Sequence, residues 1–261
     1  MKKGIALDDL LDGAVEVARA AGRHALRNRH RRGETDAVHA HDVKLVLDRE
    51  CQRRAAAVVA RRYPAHGILG EEGSRASRSP YRWVIDPIDG TVNFHHGLPQ
   101  WCTSVALEYR GAAVVGVVYA PELDDLYTAV QERPALCNGA AIKPAETRSL
   151  SQALICTGHS KDIEADPNGF RRMETLCRNA RKVRMMGAAA LDICHVARGR
   201  VDGYFETRIY HWDIAAAQLI ARQAGAQTEV LARFGGECLQ FMAATPPVFP
   251  ALRALMDPFG S

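Results

Sequence analysis

The 261-residue sequence predicts a layered α/β protein. Three observations carry that prediction. Apolar residues recur at helical spacing in two segments before Tyr63. β-rich runs crowd the middle of the chain, and strand-like and helix-like segments alternate from Ser149 onward.

Taken in order, Leu7, Leu10, Leu11, Ala14, Val17, Ala18 and Ala21 form one apolar helical face. Asp8, Asp9 and Asp12 come early on it and Arg19, Arg23 and Arg27 late, which suits the helix dipole. A polar loop follows through Gly33, Asp36, His39 and Asp42. A second helix spans 48–62, with Ala55, Val58 and Val59 inward, and Tyr63-Pro64 ends it. The opening third is thus expected to be helix, loop, helix. Gly67-Ile68-Leu69-Gly70 reads as a short strand running into Glu71-Glu72. Residues 103–109 and 112–119 read as strands joined at Arg110-Gly111, with another strand at 126–130 and a tight turn at Asn138-Gly139. Then come a strand at 153–157, a helix at 170–179, a strand at 182–186 and a helix at 188–198 ended by Gly199. A strand at 203–206 and a helix at 213–224, capped by Gly225, complete the pattern. A single domain over 1–261 is expected, with a sub-domain seam near 143–151.

Composition excludes several classes of function. At 47% hydrophobic and 25% charged residues, the chain has the balance of a globular protein with a substantial core. The net charge is +4, and the densest basic stretch holds Arg23, Arg27, Arg29, Arg31 and Arg32. No aromatic residues interleave with it, so it reads as a solvated helix end and no nucleic-acid partner is expected. The seven cysteines (Cys51, Cys102, Cys137, Cys156, Cys177, Cys194 and Cys238) form no Cys-x-x-Cys pair. They read as reduced, mostly buried thiols rather than a disulfide framework or zinc site. Lys2 and Lys3 are followed by acids instead of an apolar leader, and no run approaches the roughly 20 apolar residues of a membrane span. A cytoplasmic location without membrane contact is expected.

The chain is organised around Trp83-Val84-Ile85-Asp86-Pro87-Ile88-Asp89-Gly90-Thr91. An apolar run leads to two aspartates spaced i and i+3. Pro87 cannot donate to a ladder, so the strand is expected to stop where the carboxylates begin. Gly90 permits an unusual backbone angle, and Thr91 is a good helix N-cap. Such a corner suits divalent cations on the acids and a phosphate on exposed N–H groups. It equally suits a turn that the aspartates merely cap. Asp48, Glu71, Glu72 and Asp213 also stand at element ends. Oxygen donors without clustered histidine or cysteine favour a hard cation, magnesium above all.

Three segments in order, Ile68-Leu69-Gly70-Glu71-Glu72, Trp83 through Phe94, and Tyr210-His211-Trp212-Asp213-Ile214-Ala215-Ala216, resemble the inositol monophosphatase family. Gly187-Ala188-Ala189-Ala190-Leu191-Asp192 and Asp202-Gly203-Tyr204-Phe205-Glu206 fit the same likeness, which runs from about Asp42 to Gly225. The resemblance implies a layered α-β-α-β-α sandwich of the sugar-phosphatase kind, usually a lithium-sensitive homodimer. It implies that Glu71, Asp86 and the Ile88 carbonyl bind one magnesium, and that Asp86, Asp89 and Asp213 bind a second. A third, weaker ion is implied near Glu71. It further implies that Asp48 and Thr91 orient and deprotonate the attacking water. The Gly90 and Thr91 N–H groups would hold phosphate, Glu206 would bind a substrate hydroxyl, and Gly187 and Ala188 would flank the substrate.

The weaker candidates have plainer readings. Glu72 reads as a solvated neighbour as readily as a ligand, and Asp192 as a structural hydrogen-bonding group. His95-His96 reads as part of a loop, and Trp83 and Trp212 as core anchors. His159-Ser160 falls where the family often places a polar group near substrate. The chain departs from the family upstream of Asp48, where Asp42-Val43-Lys44-Leu45 replaces a pattern close to Asp-Leu-Val-Thr. Lys44 or His39 are candidates to take over the work of the loop there. The expected activity is hydrolysis of a small phosphomonoester, myo-inositol monophosphate first and histidinol phosphate close behind. The alternative is a catalytically weak relative kept as a binding or scaffold protein.

Overall fold

The computed structural model describes residues 6–39, 42–159 and 164–256, without the side chains of Val38, His39 and Asp42. It is a five-layered α-β-α-β-α stack. The first layer pairs α1 (Leu7–Arg27) with α2 (Val46–Arg62). Beneath them lies a seven-stranded sheet in sequential order: β3 (Gly67–Gly70), β4 (Tyr81–Asp89), β5 (Cys102–Tyr109), β6 (Ala112–Ala120), β7 (Asp125–Val130), β8 (Leu136–Cys137) and β9 (Ala140–Ala141). The middle layer holds α5 (Ala189–Ala197) and α6 (His211–Ala224).

The fourth layer is a five-stranded sheet. Its strands are β10 (Leu154–Thr157), β11 (Lys182–Arg184), β12 (Gly203–Tyr210), β13 (Gln227–Gly235) and β14 (Cys238–Ala244), ordered β11-β10-β12-β14-β13. The last layer packs α4 (Gly169–Asn179) and α7 (Phe249–Met256) on its far face. A short helix, α3 (Thr91–His96), follows β4.

Both faces of the large sheet are covered, so burial in its central strands does not alternate: β5 buries seven of its eight residues, and β6 buries five in a row. Leu10, Val17 and Ala21 of α1 join Trp83, Val105 and Val117 in one core. Leu191, Ile193, Ile214 and Ile220 of the middle helices join Val118, Tyr204 and Phe241 in a second. β6 and α6 approach so closely that a Cβ at Gly116 would stand 2.7 Å from the Ala216 carbonyl oxygen, which only glycine permits.

The hairpin signals correspond to tight turns. Arg110 and Gly111 (φ +51° and +84°) join β5 to β6, and Asn138 and Gly139 (φ +49° and +80°) join β8 to β9. The expected opening of helix, loop, helix needs correcting. The loop carries an antiparallel hairpin of β1 (Thr35–His39) and β2 (Asp42–Leu45), which leads directly into α2. All seven cysteines are free thiols, five of them buried. Among the described residues no helix is long and apolar enough to cross a membrane.

Candidate active site

The corner after β4 differs from the sequence expectation in two respects. The strand does not stop at the first carboxylate but continues through Pro87 to Asp89. A register shift against β5 between Asp86 and Asp89 makes this tolerable, because at a bulge the missing proline N–H costs no ladder bond. The helix N-cap is Gly90, not Thr91. Gly90 sits at φ +89°, and a Cβ there would lie 2.9 Å from the Gln100 carbonyl oxygen and 3.1 Å from that of Gly187. Thr91 is the first helical residue, and its hydroxyl donates to the Ile88 carbonyl at 2.9 Å. That carbonyl keeps a second lone pair for another partner.

Around this corner lies a cleft of about 360 Å³. Glu71, Asp86, Ile88, Asp89, Gly90 and Thr91 line it together with Gly187, Ala188, Glu206 and Asp213. Tertiary hydrogen bonds fix the parts. Asp89 accepts the N–H groups of Ala189 (3.0 Å) and Ala190 (2.8 Å), so a carboxylate of β4 caps the start of α5. Asp213 accepts the Tyr210 N–H at 3.0 Å and closes the first turn of α6. Asn93 Nδ2 donates to the carbonyls of Gln100 and Met186, both at 2.7 Å, and so holds the Gly187 loop against α3. Tyr204 donates its hydroxyl to Glu206. Asp48 does not line the cleft. It is buried on α2, where Oδ2 accepts the Leu45 N–H at 2.9 Å and Oδ1 has no hydrogen-bond partner among the described residues.

Electrostatics shows that these acids converge. Burial pushes the Asp86 carboxyl well above the usual range, and Glu71, Asp89, Asp213 and Asp48 all push it further. Burial likewise raises Asp48, with Glu71 and Glu72 adding to it while the Leu45 N–H and Lys44 oppose. Asp89 is raised by burial and pulled back by the Cys102 thiol and the N–H groups at the start of α5. Lys44 lies on the other side of Glu71, ion-paired to it and to Glu72 at 2.8 Å. As placed, no three His, Cys, Asp or Glu side chains among the described residues are gathered in ion-holding geometry. The donor set nonetheless fits a hard cation: the buried carboxylates of Asp86 and Asp89 and the half-buried ones of Glu71 and Asp213 repel one another, and a divalent ion would relieve that repulsion.

The sequence and the fold have known counterparts. The profile of the inositol monophosphatase family matches residues 6–249. The chain belongs to the inositol monophosphatase family. It is 35% identical to the inositol monophosphatase of Dictyostelium discoideum over 246 residues, covering 90% of this chain and 89% of that one. It is 38% identical to the Nus factor SuhB of Pasteurella multocida over 224 residues, covering 84% of each. Among solved structures, the extragenic suppressor protein suhB from Bartonella henselae aligns with a TM-score of 0.88 at 28% identity, over 95% of this chain and 98% of that chain. The inositol monophosphatase from Anabaena aligns with a TM-score of 0.85 at 30% identity, over 96% of each.

Within this family member, sequence reasoning missed several lining residues. Asp192 was expected to make a structural hydrogen bond. It lines the cleft instead, with Oδ1 buried and unpartnered among the described residues. Trp212 packs against the middle-layer core as expected, but it is only half-buried: it also lines the cleft and stacks on Tyr210 with ring centroids 4.9 Å apart. Trp83 is a core anchor, fully buried with its indole N–H on His66. Glu72 is ion-paired rather than solvated. His95 and His96 belong to α3, not to a loop. Arg208 and His159 also line the cleft, while Ser160 lies outside the described residues. Arg208 had no motif to announce it. Its φ of +58° on a bulged stretch of β12 follows from pairing with β14, which sequence spacing does not show.

Proposed function

We propose that the chain is a magnesium-dependent phosphomonoesterase acting on a small polyol or amino-alcohol phosphate, with inositol monophosphate the first candidate. The observation that carries this reading is the convergence of Asp86, Asp89, Glu71 and Asp213 on one cleft beside Gly90 and Thr91. Glu71, Asp86 and the Ile88 carbonyl would hold one magnesium, and Asp86, Asp89 and Asp213 a second. Bound there, the ions supply a nucleophilic water and charge stabilisation at the leaving oxygen.

The chain's own groups do the rest. The Gly90 and Thr91 N–H groups bind the phosphoryl oxygens. Thr91, whose hydroxyl proton points to Ile88, offers its oxygen to orient the attacking water. The family likeness gives the proton to Asp48, which here stands off the cleft surface, close enough to Asp86 to act on its charge and with Oδ1 unpartnered among the described residues. Glu206 receives a substrate hydroxyl or amine, and Gly187 and Ala188 bound that end of the cleft. The same reading takes the enzyme as a lithium-sensitive cytoplasmic homodimer.

A second reading, a binding or scaffold relative with little catalysis, draws on two observations. Several relatives are named Nus factor SuhB, and the Lys44 ammonium sits on Glu71. Phosphate release from inositol monophosphate, histidinol phosphate and other phosphomonoesters, with magnesium and with a chelator, decides between them. Magnesium-dependent release from at least one supports the enzyme and ranks its substrates. Equal, negligible release in every condition sinks it.

A further inference from the structure

Lys44 stands between Val43 and Leu45 on β2, both buried against the core of the first two layers. Strand alternation therefore turns its side chain away from that core. Its ammonium spends two of three donors on Glu71 and Glu72, consecutive residues leaving β3 whose side chains are only 13% and 12% exposed. Two adjacent carboxylates repel one another, and a cation between them relieves that repulsion.

Two further acceptors belong to the same corner. Asp48 Oδ1 and Gln52 Oε1 lie one helical turn apart on α2, both buried and both without a hydrogen-bond partner among the described residues. The Gln52 amide group is packed against the end of β3 beside Glu71, with Nε2 nearer still than Oε1, which lies 2.8 Å from where a Cβ on Gly70 would stand. Asp48 is near enough to feel the charges of Glu71, Glu72 and Lys44. The donors this corner has to offer are therefore all oxygens, the kind a hard divalent ion takes, although as placed they are not drawn together around one point.

We infer that Lys44 is the resident cation of the Glu71–Glu72 corner and keeps closed a position that a divalent ion would otherwise occupy. The inference rests on the reading of the neighbouring carboxylates as magnesium ligands. An ammonium carried by the chain neutralises both glutamates without recruiting an ion, and it uses lone pairs that an incoming ion would need. This chain would then run with one ion fewer than its acids could hold.

The test counts Mn2+ bound per chain, from the electron paramagnetic resonance signal of the free ion, in wild type, Lys44→Met and Lys44→Arg. Circular dichroism checks the fold of each. Lys44→Met is expected to bind one Mn2+ more than wild type, and Lys44→Arg the wild-type number. If Lys44→Met does not hold its fold, Lys44→Gln, uncharged but still able to donate to one carboxylate, is counted in its place. Equal counts in wild type and the uncharged variant, or a lower count in the variant, overturn the role of Lys44. A wild type that binds no Mn2+ beside a variant that binds one upholds that role and overturns the metal reading of the wild-type cleft.

Discussion

Asn93 binds nothing in the proposed reaction, yet it ties α3 to the Gly187 loop. Its amide donates to Gln100 and to Met186, the residue before Gly187. Replacing Asn93 by Ala leaves both carbonyls short of a partner. It is expected to lower stability in urea titrations by about 1–3 kcal/mol, the combined worth of two part-buried hydrogen bonds. Asp86 and Asp89 were legible in the sequence because their spacing, the proline and the Gly-Thr are all local. Asp192 was not. It is one acid in an otherwise apolar helical segment, and only the packing of α5 against β4 turns it toward the cleft. Lys44 was legible as a departure from a family pattern, but its partners lie 27 and 28 residues away.

Among the elements, the long strands and the helices α1, α2, α5 and α6 could be read because each has a periodic face and a clear stop. β4 shows where a local rule fails. Proline argues against a central strand, but a bulge at Asp86–Asp89 absorbs it and carries both carboxylates to the end of the strand. The β1–β2 hairpin was invisible for a different reason: its strands are short, and only Val43 and Leu45 of β2 alternate inward. It nevertheless delivers Lys44 to Glu71 and leads the chain into the turn of α2 that buries Asp48. β13, β14 and α7 had no comparable sequence signal. β13 is half-buried along its length and lacks a clean alternation.

Across the whole molecule, the layers bring acids from α2, β3, β4, α5 and α6 together at one end of the large sheet, at an electrostatic cost. Asp48, Asp86 and Asp192 all have carboxyls raised by burial. In the unfolded chain these groups ionise near pH 3.9, while the folded protein keeps their protons to higher pH. The folded state therefore binds more protons in that window, and metal-free stability falls as pH rises through it. A divalent cation favours the ionised form and opposes the loss. Calorimetric Tm values in chelator should decline from acid toward neutral pH, and the gain in Tm on adding magnesium should grow over the same range. A gain independent of pH would contradict the coupling.

In the proposed function, the carboxylates converging on this cleft use magnesium to hydrolyse a phosphomonoester. Its most direct test is the steady-state rate of phosphate release from inositol monophosphate, or from the best substrate of the panel. Wild type and Asp89→Asn are compared with and without magnesium. Magnesium-dependent release is expected from wild type, with a loss of about 10–100-fold or more in a folded Asp89→Asn protein. Equal rates for the two proteins, or a wild-type rate indifferent to magnesium, would contradict it.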